Sequence, residues 1–80
     1  MTPQETLQHL IDKAWEEYNE IQAEEIEGDY SDAMLSMERT RAEGYALGLQ
    51  GAYYVAFGEH YESTVSPIDP YEYEQMLETK

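Results

Sequence analysis

The chain has 80 residues, 18 acidic side chains against four basic ones, a formal net charge of −14 and no cysteine. This length makes one domain, read as 1–80, and the lack of cysteine excludes disulfides, thiolate metal sites and a thiol nucleophile. So negative a field repels nucleic acid and anionic membrane and attracts whatever normally binds them.

Thr2-Pro3-Gln4-Glu5 has the pattern of a helix start: a capping hydroxyl, a proline at the first helical position and a glutamate that completes a capping box. Leu7, Leu10, Ile11, Ala14, Tyr18 and Ile21 then recur at spacings of three and four, one apolar stripe, and Gly28 is a natural stop. The first helix is expected over 3–27. Asp29 or Ser31 caps a second, expected over 31–57, with Asp32 in its first turn and Gly58 as its stop. So short a connection implies an antiparallel helical hairpin. Residues 59–69 show no helical period and read as a loop, with room for a short extended piece at 61–65. Asp69-Pro70-Tyr71-Glu72 repeats the cap, proline and box, and predicts a third helix over 70–78 folded back on the hairpin. The fold class is all-α: a hairpin closed by a short C-terminal helix, alone or in a dimeric bundle. Tyr18, Tyr45 and Tyr53 or Tyr54 are candidate core tyrosines.

The second helix carries Gly44, Gly48 and Gly51 at spacings of four and three, continued by Ala52 and Ala56. Each interior glycine costs about 1 kcal/mol against alanine, so a close contact must offset the track. The first reading is tight packing inside the hairpin, with Trp15 or Tyr18 received against the glycines. The second is a seam between two copies, and the third is approach of a ligand.

On the first helix Asp12, Glu16, Glu20 and Glu24 form an i, i+4 row, flanked by Glu17, Glu25 and Glu27. Neighbours in the row lie about 6 Å apart along the axis, and like charges there repel by roughly 0.2–0.5 kcal/mol per pair. Eight acids on a helix of about 36 Å give one charge per ~4.5 Å, against ~3.4 Å for one DNA strand. Mimicry of a nucleic acid is therefore admissible, beside a merely solvated face or a cation-binding one. In the tail, Tyr71-Glu72-Tyr73-Glu74 alternates tyrosine with acid, a composition suited to a basic partner. Arg39 and Arg41 read as partners of nearby acids.

Chemistry finds little footing. Glu17 and Glu20 form a Glu-x-x-Glu similar to the first metal box of all-α NTP pyrophosphohydrolases, but the second helix offers only Glu38 and Glu43, five apart, so that enzyme is rejected. His9 reads as a surface residue or an i, i+4 partner of Glu5, and His60 as a loop residue. The serines lack a nucleophile elbow, and the glycines are spaced for a helix and not for a phosphate loop. Neither an enzyme nor a metal or other cofactor is expected. No signal sequence or membrane span is expected either, which points to the cytoplasm.

The segment Glu38-Arg39-Thr40-Arg41-Ala42-Glu43-Gly44-Tyr45-Ala46-Leu47-Gly48-Leu49 resembles segments of small phage-encoded helical proteins. Short acidic proteins of that kind include host-defence inhibitors, among them anti-CRISPR proteins and DNA mimics. The resemblance implies a viral inhibitor of the host cytoplasm and assigns no residue a role. The expected function is non-enzymatic: Asp12, Glu16, Glu20, Glu24, Tyr71, Glu72, Tyr73 and Glu74 engage a basic, nucleic-acid-binding protein, with no direct contact to nucleic acid. The alternative is a structural or adaptor subunit that assembles, as a homodimer or in a larger complex, through Gly44, Gly48, Gly51 and Ala52.

Overall fold

A computed structural model describes residues 1–78 and is all-α, with helices α1 (Pro3–Glu27), α2 (Ala33–Phe57) and α3 (Pro70–Glu78). α1 and α3 have the expected limits; α2 begins two residues later than expected. Thr2 and Glu5 close the capping box on α1: the Glu5 N–H donates to Thr2 Oγ1 and the Thr2 N–H to Glu5 Oε1, each at 3.1 Å.

Gly28 caps α1, but at φ −85°, without using the left-handed region that makes glycine a good stop. That conformation falls on Asp29 (φ 55°) and Tyr30 (φ 57°) instead. The Tyr30 N–H donates to Glu25 O, and Ser31 Oγ donates to Gly28 O at 2.6 Å. Two left-handed residues carry the chain past both expected caps. Asp32 therefore caps α2, accepting from the Met34 N–H at 2.9 Å. Gly58 ends α2 in the left-handed region, φ 71°. At α3 the Asp69 carboxylate accepts from the Tyr71 N–H at 2.9 Å, a simple N-cap; neither bond of a box between Asp69 and Glu72 is made.

The two long helices pack antiparallel around Ile11, Ala14, Trp15, Tyr18, Ala46 and Tyr53, with Leu7, Ala42, Leu49, Tyr61 and Val65 at the margin. Trp15 and Tyr18 meet edge to face at 5.4 Å. The stripe is rotated from the one first drawn: Leu10 is exposed, Ile21 half-buried, and Gln22, Glu25 and Ile26 are buried in their place. Of the candidate tyrosines, Tyr18 and Tyr53 enter the core while Tyr45 and Tyr54 stay exposed.

The glycine track is not in the hairpin. A Cβ at Gly44, Gly48 or Gly51 would meet nothing within 4 Å, and all three lie exposed with Ala52. The inner edge of α2 is formed by Ala42, Ala46, Leu49 and Tyr53, which receive Trp15 and Tyr18. At ~100° per residue, Gly44 and Gly48 fall on the opposite side from Ala46. First-choice packing inside the hairpin is thus overturned by facing, although the spacing was right.

Residues 59–69 contain no strand and run back along one edge of α1. Asn19 holds them twice, its Nδ2 donating to Ser66 O and its Oδ1 accepting from the Ile68 N–H, both at 2.9 Å. Gln4 Nε2 donates to Glu59 Oε1 at 2.9 Å. α3 then lies against α1, its Tyr73 hydroxyl donating to Glu27 Oε1 at 2.8 Å.

Candidate acidic binding face

The acids of α1 divide into three environments. Asp12 leaves the row, because its carboxylate turns toward the 59–69 segment, a strap along α1, and accepts from Tyr61 O–H (2.9 Å), Ser63 O–H (2.7 Å) and the Thr64 N–H (3.2 Å). Burial pushes this carboxyl up, but the bonds from Ser63, Tyr61 and Thr64 together outweigh it and hold it below its ordinary value. A depressed folded-state pKa means that the unfolded chain binds the proton more readily. The stabilisation is therefore present at neutral pH and lost as pH falls below the ordinary aspartate range. Asp12→Asn should cost about 1–2 kcal/mol in denaturant melts at pH 7 and less at pH 3. An equal loss at both pH values would contradict the assignment.

Glu25 belongs to the interior. Only 2% exposed, it accepts from Arg39 Nε and Ser36 Oγ, each at 2.6 Å. Burial pushes the carboxyl up; Ser36 and Arg39 outweigh that and lower it. Nothing in the acid pattern marked Glu25 as different. Its spacing did: Ile11, Tyr18 and Glu25 lie seven residues apart on the buried edge. Arg41, expected to find an acid as Arg39 does, makes no ion pair among the described residues.

Glu16, Glu20 and Glu24 remain, all exposed, with Glu17 and Glu27 beside them. Lys13 is the one lysine or arginine on α1. No basic residue occupies the last turn of α1, where Glu24, Glu25 and Glu27 sit against the negative end of the helix dipole. α3 adds acid to the same end. Glu72 and Glu74 are exposed, and burial together with the nearby charges of Glu74 and Glu25 raises the Tyr30 hydroxyl. Tyr71 is 68% exposed, while Tyr73 is half-buried and spends its hydroxyl on Glu27. Glu16, Glu20 and Glu24 on α1 and Tyr71, Glu72 and Glu74 on α3 are thus exposed on two packed helices, while Asp12 is engaged by the 59–69 segment.

A cleft of about 440 Å³ opens between the long helices, lined by Glu17, Ile21, Glu38, Arg41, Ala42 and Tyr45. His9 is exposed, and His60 stacks on Tyr54 at 4.4 Å. Among the described residues no three His, Asp or Glu are placed to hold a metal ion. No helix among them is long and apolar enough to cross a membrane. No family model, curated protein or solved structure matches the chain.

Proposed function

We propose that the protein is a non-enzymatic inhibitor that occupies the basic surface of a nucleic-acid-binding protein, its carboxylates standing where phosphates would. What supports this reading is the row Glu16, Glu20 and Glu24, all exposed, with α3 and its exposed Glu72 and Glu74 packed on the same helix. These charges repel one another along the helix and crowd its negative end, and a cationic surface relieves both penalties. Tyr71, exposed beside Glu72, supplies an aromatic contact of the kind that anchors interfaces. The phage-type resemblance of 38–49 accords with an inhibitor acting in a host cytoplasm.

The reading is tested with Glu16→Lys, Glu20→Lys and Glu24→Lys combined. All three side chains are solvated, so helix content should be unchanged. Affinity for the captured partner should fall roughly 100-fold, and its salt dependence should flatten with it. An affinity indifferent to both reversal and salt would remove the proposal.

A further inference from the structure

A helix with apolar side chains on more than one face ordinarily has more than one face covered. α2 carries its charges between 38 and 43 and is packed on α1 along one edge. While its inner edge packs on α1, Met34, Met37, Tyr45, Leu47 and Val55 stand between 53% and 84% exposed. Opposite the inner edge, Met37, Gly44, Gly48, Gly51 and Val55 follow at spacings of seven, four, three and four, with Arg41 on the flank where the cleft to α1 opens. That is the seven-residue repeat by which one helix lies along another.

We propose that a second copy of the chain covers this face, the two α2 helices crossing antiparallel about a two-fold axis at Gly48. Charge selects the occupant. The chain carries −14, yet α2 holds two acids, Glu38 and Glu43, against Arg39 and Arg41, and the outer row has no carboxylate. Two copies can share this face without opposing their acids, whereas α1 against α1 would set carboxylate on carboxylate. The row is also self-complementary. A two-fold at Gly48 sets Arg41 beside Val55 of the second copy, three residues before the Gly58 cap. Arg41 makes no ion pair among the described residues, and the last turn of α2 has no basic residue. Each copy supplies the cation that the other's helix end lacks.

A stable interface takes about 800 Å² from each partner, about a seventh of the 5651 Å² surface here. A 25-residue helix presents an edge about 37 Å long. At the crossing, the three glycines let the backbones approach where side chains would hold them apart. The four helices then lie in one layer with both acidic α1 faces on its outer edges, so the dimer is bivalent.

Sedimentation equilibrium of the full chain, from micromolar to near-millimolar concentration, tests this. The wild type should reach twice the single-chain mass, with little change on adding salt. Gly48→Leu points into open space in one chain, so its circular dichroism should match the wild type while dimerisation weakens at least about 100-fold. Arg41→Glu should weaken it about 10-fold. A wild type that keeps the single-chain mass throughout, or a Gly48→Leu variant that dimerises as tightly, overturns the proposal.

Discussion

Arg39→Ala is expected to lower the melting temperature by about 10–20 °C while leaving the exposed acidic face untouched. Among the described residues Arg39 is the single ionic partner of a carboxylate that is almost fully buried. Removing one member of a buried pair costs about 3–5 kcal/mol, because the other charge is left in a medium that cannot solvate it. Here the Arg39 side chain keeps 30% of its exposure, so solvent already screens the pair, and about 2–3 kcal/mol is the better figure. Domains of this size change melting temperature by roughly 4–8 °C per kcal/mol.

The pH dependence gives this prediction a sign. In the wild type the Glu25 carboxyl lies below its ordinary value, so its contribution is present at neutral pH and fades as pH falls through the acid range. In Arg39→Ala the cation is gone and burial pushes the carboxyl up, so acid relieves an unpaired charge. The gap between the two proteins should narrow from pH 7 to pH 4. A gap that widens on acidification would show that Glu25 is not the group responsible.

Tyr53→Ala should be the most damaging single truncation, costing about 3–4 kcal/mol in urea unfolding. Tyr53 is 1% exposed and stands where α2, α1 and the strap converge. Its ring lies 4.9 Å from Phe57 and 5.6 Å from Tyr61. Its hydroxyl oxygen accepts from Gln4 Nε2 at 2.7 Å and Gln8 Nε2 at 3.0 Å. Truncation removes the aromatic packing and both acceptor contacts together. Tyr53→Phe keeps the ring, and because the glutamines can turn to water it should cost only about 1 kcal/mol. Folding free energies near 4–12 kcal/mol suit a chain of this size, so the alanine variant should lose at least about a quarter of its stability. Near-wild-type stability of Tyr53→Ala would show that the hairpin is not held at that point.

How much of this could be read beforehand depended on whether the cause was local. Thr2, Pro3 and Glu5 act within one turn, and α1 starts where they put it. Residues 28–32 carried no local sign that Asp29 and Tyr30 would both turn left-handed, and the start of α2 moved accordingly. Asp12 fitted the i, i+4 row in sequence; what removed it were Tyr61, Ser63 and Thr64, about fifty positions away. The glycine spacing was legible but its direction was not. α2 carries two rows at three-four spacing, Ala42-Ala46-Leu49-Tyr53 and Gly44-Gly48-Gly51-Val55, and periodicity alone cannot say which of them faces α1.

The central claim, that the acidic face stands in for nucleic acid, is tested most directly by competition. The tagged protein is used to capture partners from a nuclease-treated lysate, and the captured material is then challenged with duplex DNA at constant salt. The account predicts a basic nucleic-acid-binding protein that DNA releases, that salt also releases, and that the Glu16, Glu20 and Glu24 reversal fails to capture. A partner that stays bound in the presence of DNA, or that the reversed variant captures equally well, would contradict it.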